Sequence, residues 1–506
     1  MRVTNQMVSG NSLRNLQKSM RSADERTQQM TSGKKIQQAS EDPVIAIRAL
    51  KLRTTVNQLQ QYDEKNIPDA SSWYQLTTTS LDNITERLKD LESYCVQGST
   101  DTFNSENRSD IIDVLKQFKE AISSEGNSTY AGRYIFSGYK TDRSLAFTET
   151  EDTSIYSYDI KQHVTAADIS TKNVVLNSVQ FDDADGYIAN PSSYGANKIE
   201  KKMVYRINAA YEQIEGDASN FSIKLKDAEG NDIPFTKTIN FKETSDADSY
   251  YDVPDGEINV IKETGEIIFG EDVYNEIKKA ADIEVDFSKS KFAAGDLRPE
   301  HYFECTAHVE QEDGSFKDID YKQPEDGQRI MYEVNFNQSI QVNTEGNKII
   351  NSELSNNVND LIYALKELQD AEKNRDRIKG MLNETQYAND DDAVKMINQL
   401  LTDIDVEIAV KRENMQKTFS NNITNVQQYI KEVSAMQSDV GSRMTKLEMI
   451  QTRVKEQRAT FKELKSQNED VESEVAITEF NEANLVYNSA LAATGNVLKQ
   501  TLLDYL

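Results

Sequence analysis

A long apolar heptad pattern near the carboxyl end constrains this chain more than any other feature. Between residues 426 and 475, apolar residues recur at alternating spacings of four and three, which keeps one side of a helix apolar and predicts a long packed helix. The residues of this pattern are Tyr429, Val433, Met436, Val440, Leu447, Ile450, Val454, Phe461, Leu464 and Val471. All seven prolines lie at or before residue 324, so none of them interrupts a helix after that position.

The amino-terminal part carries shorter stripes with the same period. They are Leu13, Leu16, Met20 and Met30, then Ile45, Leu52, Val56 and Leu59, then Leu81, Ile84, Leu88, Leu91 and Cys95. Breaks between several helices are indicated at Ser32-Gly33, at Asp42-Pro43 and in the polar stretch 98–109. Both ends therefore need helical partners, either each other within one chain or neighbouring subunits. A chain whose two ends are assembly surfaces is more typical of a structural component than of an enzyme.

The carboxyl-terminal stripe shifts its phase near residue 475, which predicts a stutter or a domain boundary there. The predicted assembly interface consists of Leu13, Leu16, Met20, Met30, Ile477, Phe480, Tyr487, Leu491, Leu498 and Leu502.

The middle of the chain, residues 141–345, changes to strict alternation of apolar and polar residues, as in 221–225. A period of two predicts half-buried strands, and the Gly-containing connection within 258–269 predicts a hairpin. Helical periodicity returns from Asn356 and is interrupted near 389–392. The sequence thus predicts a mainly α fold with an antiparallel β insertion.

The net charge of this chain limits the kinds of partner that it can bind. Its 57 Lys and Arg against 85 Asp and Glu give a formal net charge of -28, which disfavours binding to nucleic acid or to anionic membrane surfaces. No run of about 18 apolar residues predicts a membrane span, and the start MRVTNQMVSGNSL lacks the apolar core of a cleavable signal. We expect neither membrane insertion nor nucleic-acid binding.

One group of metal-ligand residue types stands out, namely His301, Cys305 and His308. On a helix these spacings would place all three on one face and indicate a zinc site. The surrounding residues 302–309 are typical of a strand, which would turn His308 away from the other two, so we predict no metal site. The acidic run 390–392 lacks the ligand pattern of a calcium loop and is interpreted as a helix start.

Few residues suit catalysis. The three histidines all lie within 141–345, and the loosely spaced Gly256, Gly265 and Gly270 indicate turns rather than a phosphate-binding loop. Trp73 lies among apolar neighbours of a helical segment, where a packing role is favoured over a recognition patch. We predict no catalytic residue, no cofactor and no enzymatic activity.

Motifs near the amino end resemble those of the flagellin family of bacterial flagellar axial proteins. The run Thr31 to Ile36, followed by Ala39, Glu41, Asp42 and Pro43, is similar to the family's SG-x-x-I…A-x-D-x-P turn. There Gly33 permits a sharp reversal and Pro43 suits the first turn of a helix. Residues 127–138, NSTYAGRYIFSG, are similar to the family's N-x-x-x-x-G-x-x-x-F-x-G segment.

Matching motifs occur in the carboxyl half, in the expected order. Residues 440–443 followed by Leu447-Glu448 resemble the family's G-x-R…L-E helix, and Ser466, Glu469 and Asp470 resemble its S…ED break. The resemblance covers about 1–145 and 425–506. Within the family, GRYIFSG and the ending ALAAT…TLLDYL are more similar to the hook-associated branch than to filament subunits.

The resemblance implies an elongated coiled-coil core built from both termini, with the β domain projecting outward. It implies terminal inner assembly helices at 1–43 and 471–506, a helical bundle from 44–140 and 346–470, and an outer β insertion at 141–345. The implied function is that of an extracellular adaptor joining flagellar hook to filament, exported unfolded without a cleavable signal and folded on assembly. The implied partners are neighbouring copies, another hook-associated junction protein, flagellin, and the flagellar export apparatus with its chaperone.

Three alternatives remain at this point. The first is a filament flagellin, which differs in copy number rather than in fold. The second is a ligand-binding or enzymatic insertion domain carried on a flagellin scaffold, with His301, Cys305 and His308 as its metal set. The third is a cytosolic coiled-coil scaffold that is not exported.

Overall fold

The computed structural model describes residues 5–100, 105–191, 194, 199–215, 220–244, 250–311, 313–324 and 327–499. Their helices are α1 Asn5–Ser32, α2 Pro43–Gln61, α3 Ile67–Ser99, α4 Ser105–Gly126, α5 Phe181–Ala189, α6 Glu271–Ile277, α7 Ser352–Met381, α8 Asp391–Glu469 and α9 Ser473–Lys499. A π-helical turn at Tyr62–Asn66 connects α2 to α3. The expected change from helices to strands and back to helices is confirmed. Within the described ranges, no helix is long and apolar enough to cross a membrane.

Local sequence explains where two of these helices begin. Asp42 accepts hydrogen bonds from the backbone N–H groups of Val44, at 2.9 Å, and Ile45, at 3.1 Å, and Pro43 occupies the first helical position of α2. At the start of α8, the Asp390 carboxylate accepts from the N–H groups of Asp392 and Ala393. The predicted break at Asp42-Pro43 and the predicted helix start in the acidic run are both confirmed.

The heptad pattern forms the apolar side of α8. Tyr429, Val433 and Val440 are buried, as are Leu447, Ile450 and Val454. Burial declines beyond Val454, because Phe461 is half-buried and Leu464 is exposed. The phase change predicted near 475 lies a few residues after the interruption at 470–472 between α8 and α9.

The strands belong to two larger sheets and two hairpins. They are β1 Thr129–Tyr130, β2 Arg133–Tyr134, β3 Tyr156–Val164, β4 Ser170–Leu176, β5 Glu200–Asn208, β6 Phe221–Lys226, β7 Asp232–Ile233, β8 Thr238–Lys242, β9 Glu257–Ile261, β10 Glu266–Phe269, β11 Asp282–Ser290, β12 Glu304–Glu310, β13 Phe316–Tyr321, β14 Met331–Asn335 and β15 Gln338–Gln341. One sheet has the order β4-β5-β10-β9-β8 and the other β13-β12-β3-β11-β6-β7, while β1-β2 and β14-β15 are separate hairpins. The neighbouring strands of the two larger sheets are antiparallel, apart from the parallel pair β8-β9.

The predicted hairpin in residues 258–269 is confirmed as β9-β10, in which Val260 pairs with Ile267. Its turn requires glycine at Gly265, which has φ +70°. A Cβ atom there would lie 2.4 Å from the carbonyl oxygen of Tyr211. This position therefore excludes other residues by both conformation and space.

The chain divides into two compact units. Unit 1 comprises residues 1–72, 331–340 and 443–506, and unit 2 comprises 73–330 and 341–442. In unit 2, Trp73 is fully buried, its ring lies edge-on to Tyr130 at 5.8 Å, and the Arg133 guanidinium lies over it at 4.9 Å. The predicted packing role of Trp73 is confirmed.

Candidate assembly interface

Helices α1 and α9 form an antiparallel pair in unit 1. Near one end the Arg26 guanidinium forms an ion pair with Glu479. Near the other end the Thr494 hydroxyl donates to the carbonyl oxygen of Ser12 at 3.5 Å. The two terminal segments of the sequence therefore contact each other along their length.

The contact line between the two helices consists mainly of small residues. On α9 the less exposed positions recur at spacings of four and three, the heptad seam of a helix pair. These positions are Ala476, Phe480, Ala483, Tyr487, Ala490, Thr494 and Val497. On α1 they are Ser9, Ser12, Leu16, Ser19, Ala23 and Arg26. Eight of these thirteen side chains are Ala, Ser or Thr, and each of these buries less apolar surface than a Leu at the same position would.

Ten large apolar side chains of the pair are exposed on several sides of the two helices, and of these Met30 continues the spacing of the seam. Their exposed fractions range from 37% for Met30 to 68% for Leu485. They are Met7, Val8, Leu13, Met20 and Met30 on α1, and Val475, Ile477, Leu485, Val486 and Leu491 on α9. We call these ten residues the outer apolar face. An exposed set of this size is a candidate surface for contact with another protein.

The predicted interface residues fall into three groups. Leu16, Phe480 and Tyr487 are half-buried in the seam. The exposed group is Leu13, Met20, Met30, Ile477 and Leu491. The alternative in which the two stripes bury each other within one chain is wrong for this group, because the small residues occupy the seam instead. The side chain of Leu498 is not among those described, and Leu502 lies outside the described residues.

The spacing of the large apolar residues does not predict this seam. Its signal in the sequence is the heptad recurrence of Ser and Ala, as in Ser9, Ser12 and Ser19 on α1. Such a pattern resembles the solvent face of a helix, which is why apolar periodicity alone selects the opposite side.

A short backbone contact closes the end of the pair where α1 leads into α2 and α8 leads into α9. Lys34 forms an antiparallel bridge with Asp470. The Lys35 N–H donates to the Glu469 carbonyl at 2.7 Å, and the Val471 N–H donates to the Gly33 carbonyl at 2.9 Å. Gly33 has φ +68°, a conformation that favours glycine. The turn and the break that carry the family resemblance are thus one contact.

Charged side chains fix this contact, which we call the hinge clamp, defined by Lys34, Arg53, Glu469 and Asp470. The Glu469 side chain is only 4% exposed and accepts from Arg53 Nε at 2.7 Å and Nη2 at 2.8 Å. These bonds hold the pKa of Glu469 below its usual range. The hydrogen bond from Lys34 to Asp470 raises the pKa of the amine and lowers that of the carboxyl. The clamp gives the helix pair a fixed register at one end.

The three suspected metal ligands do not converge. His301 lies in a buried turn, with Nε2 at 3.0 Å from the Ser144 carbonyl oxygen. Cys305 points inward from β12, whereas His308 lies on the opposite face. The predicted divergence of Cys305 and His308 on a strand is confirmed. Among the described residues, no group of three or more His, Cys, Asp or Glu side chains is arranged to hold a metal ion.

Both ends of this architecture match known models. Residues 3–141 match the bacterial flagellin N-terminal helical region, and residues 423–506 match the bacterial flagellin C-terminal helical region. Both ends of the chain are therefore similar to the helical regions of bacterial flagellin. The family's two helical regions thus include the paired helices α1 and α9 and the hinge clamp.

Individual relatives match over parts of the chain. Flagellar hook-associated protein 3 of Escherichia coli K12 is 27% identical over 169 residues, which is 33% of this chain and 53% of that relative. The protein of the same name from Salmonella typhimurium LT2 is 27% identical over 143 residues, 28% of this chain and 45% of the relative. A flagellin of Clostridium tyrobutyricum is 27% identical over 127 residues, 25% of this chain and 33% of the relative. The chain thus spans about half the length of the first two relatives and a third of the last.

A solved structure resembles the chain over a longer range. It is a putative flagellar hook-associated protein from Vibrio parahaemolyticus, which is 12% identical with a TM-score of 0.35 and covers 85% of this chain and all of that one.

Proposed function

We propose that this chain is a structural, non-enzymatic component of the bacterial flagellum that joins the hook to the filament. Two family models match its ends, and two relatives are named flagellar hook-associated protein 3. The observation that carries the proposal is the outer apolar face of the α1-α9 pair. In a junction, this face packs against neighbouring subunits.

The proposed mechanism couples folding of the termini to assembly. Burying a Leu, Ile or Met side chain that was exposed contributes about 1.5–3 kcal/mol. The α1-α9 seam alone buries mostly Ala, Ser and Thr side chains, so contacts with neighbours supply much of the stability of the pair. The terminal segments are exported unfolded and become ordered when copies meet.

The proposed arrangement follows the expectations from the sequence. Residues 1–43 and 471–506 form the inner assembly layer, 44–140 and 346–470 the bundle, and 141–345 the outward β domain. The partners are copies of this chain, a second hook-associated junction protein and flagellin, with the flagellar export apparatus and a chaperone before assembly. The chain acts outside the cell in the flagellum and neither enters a membrane nor binds nucleic acid.

Deletion of the gene tests the role directly. We expect cells with hooks but no attached filaments, and flagellin lost to the medium. Electron microscopy of the cells and immunoblotting of the medium measure the two effects. Filaments of normal length and number on the deletion strain would refute the proposal.

Complementation with point variants tests the interface. Met20→Glu places a charge on the outer apolar face, and Met203→Glu places the same charge on β5 in unit 2. The two methionines are similarly exposed, at 57% and 52%. We expect Met20→Glu to lose filament attachment and Met203→Glu to restore motility. Equal motility of the two strains would contradict assembly through this face.

A filament subunit is the second candidate, because the Clostridium tyrobutyricum flagellin matches part of the chain. The two roles predict different positions on the flagellum. Gold-labelled antibody should give one band at the base of the filament for a junction protein. Labelling along the whole filament would establish the second candidate instead.

A further inference from the structure

Unit 2 contains a large polar cavity that the proposed assembly role does not use. Its volume is about 740 Å³. Residues of β4 and β5 line one side, and residues of α7 and α8 line the other. We call it the asparagine cavity, because eight asparagines line it: Asn208, Asn351, Asn356, Asn357, Asn414, Asn421, Asn422 and Asn425.

Ionic groups on one side of the cavity neutralise each other. Arg206 forms ion pairs with Glu266 and, at 2.7 Å, with Asp360. Lys172 lies 2.8 Å from Glu367 and 2.7 Å from the Tyr251 hydroxyl. Both cations are therefore held by carboxylates, and neither is left to bind an anionic ligand.

Two polar atoms on β5 lack a partner at this wall. Arg206 Nε and Asn208 Oδ1 are buried and make no hydrogen bond within the described part of the chain. Arg206 and Asn208 are two residues apart on one strand, so their side chains share a face. One atom is a donor and the other an acceptor. A hydroxyl group that reaches both atoms after a small movement of the two side chains satisfies both, since it accepts one hydrogen bond and donates another.

The helical wall adds oriented amides. Asn356 donates to the carbonyl of Ala209 at 2.9 Å, and Asn357 donates to the Tyr429 hydroxyl at 2.8 Å. Asn422 donates to the carbonyl of Thr418 at 3.0 Å. These bonds use the amide nitrogens and fix the side chains, which leaves their oxygens as acceptors. The wall thus suits a ligand with several hydroxyl donors.

Aromatic residues and the net charge of the lining limit which ligands the cavity can bind. Tyr250, Tyr363 and Phe303 also line the cavity and offer apolar surface next to the amides. The lining has four Lys and Arg and six Asp and Glu residues, a formal charge of 4 − 6 = −2, which repels anions. Small-molecule sites combine apolar surface with a few placed polar groups in this way.

The geometry points to the asparagine cavity as a binding site for a neutral saccharide. Its hydroxyls donate to the amide oxygens of the helical wall, and a small movement of the β5 side chains lets one hydroxyl meet Arg206 Nε and Asn208 Oδ1. This inference does not rest on the proposed flagellar role. Saccharide binding is measured on the purified chain, whereas the flagellar role is tested by the loss of filaments in a deletion strain, so either can fail without the other.

The test uses the purified full chain on an array of defined neutral and acidic glycans, followed by calorimetric titration with the glycan that is retained best. We expect retention of neutral glycans, and binding at least tenfold weaker in Asn208→Ala. Asn398→Ala is the matched control, since Asn398 is exposed on α8 and does not line the cavity. We expect the glycan affinity of Asn398→Ala to stay within twofold of the wild-type value.

A second variant keeps the test valid if Asn208→Ala unfolds. Asn421 is exposed at the rim and makes no hydrogen bond to other described residues, so Asn421→Ala should leave the thermal midpoint unchanged and still weaken binding severalfold. Retention of no neutral glycan, retention of acidic glycans alone, or equal affinity of the folded cavity variants and the control would overturn the inference. The last result would mean that the cavity is a solvated gap.

Discussion

Glu469→Gln is the most direct test of the hinge clamp. The substitution keeps the shape of the side chain and removes the charge that Arg53 and Lys34 neutralise. A hydrogen bond to a charged group contributes about 1.5–3 kcal/mol. The side chains of Arg53 and Lys34 are 52% and 39% exposed, so solvent screening reduces their contribution. We therefore expect a loss of about 1–2 kcal/mol, which is a factor of about 5–30 in the local opening equilibrium.

Hydrogen exchange of two amides measures this loss. The N–H groups of Lys35 and Val471 donate across the clamp, so their protection reports its opening. After correction for intrinsic rates, protection at both should fall about 5–30-fold in Glu469→Gln. Glu456→Gln, at an exposed position on α8, is the control and should change neither amide. Unchanged protection in Glu469→Gln, or an equal loss in the control, would refute the reasoning.

The same amides should show a dependence on pH. The folded pKa of Glu469 is below its unfolded value, so its stabilisation is present above the ordinary carboxyl pKa near 4.5. It is lost as the pH falls through the lower folded value. Wild-type protection should decline over that acidic window, whereas protection in the Gln variant should already be low. A parallel decline in both proteins would assign the effect to other carboxyl groups.

Three further predictions concern unit 2. Carboxylates at both ring nitrogens raise the pKa of His308, whereas burial lowers the pKa of His301 to about 4, and NMR titration of these two histidines should show this order. The stabilisation from His308 is present below pH 6.5 and lost as the pH rises through its folded pKa, so His308→Gln should flatten the pH dependence of unfolding there; an unchanged slope would contradict this. Gly265→Ala should lower stability by more than about 1 kcal/mol in thermal unfolding, while Gly256→Ala, which has open space, should not, and equal midpoints would dismiss the steric argument. Trp73→Ala should destabilise unit 2 by about 3–5 kcal/mol in denaturant titration, and a change below about 1 kcal/mol would show that the indole is dispensable.

Sequence periodicity predicts a helix or a strand when only one of its faces is buried. The α8 heptads, the start of this helix at the acidic run and the β9-β10 hairpin all follow from spacing and turn chemistry, which are local properties. The β class of the middle segment follows from the same kind of signal. Sheet order does not, because β3 pairs with β11 and β12 across more than a hundred residues.

Apolar periodicity fails to predict which face of α1 contacts α9. In α1 it selects Leu13, yet Ser12 lies at the seam and Leu13 is exposed. Periodicity assumes that the largest apolar residues are buried within the same chain. That assumption does not hold for Leu13, and the proposed burial of this side chain between subunits accounts for the difference.

The hinge clamp shows a second limit, since Lys34 and Asp470 are 436 residues apart. Each motif alone indicates a turn or a break, and nothing in either predicts that they pair. The same is true of the asparagine cavity. Asn208 lies on a strand and Asn421 on a helix, and only the fold brings them to one space.

The seam, the outer apolar face and the hinge clamp together describe a helix pair with uneven stability. The clamp fixes one end through charge and backbone bonds, while eight of the thirteen seam residues are Ala, Ser or Thr. Helices of 28 and 27 residues obtain most of their stability from tertiary packing, and these two leave ten large apolar side chains exposed. A clamp that sets the register first, followed by neighbours that cover Met20 and Leu491, would allow the pair to form in the correct alignment only where other subunits are present.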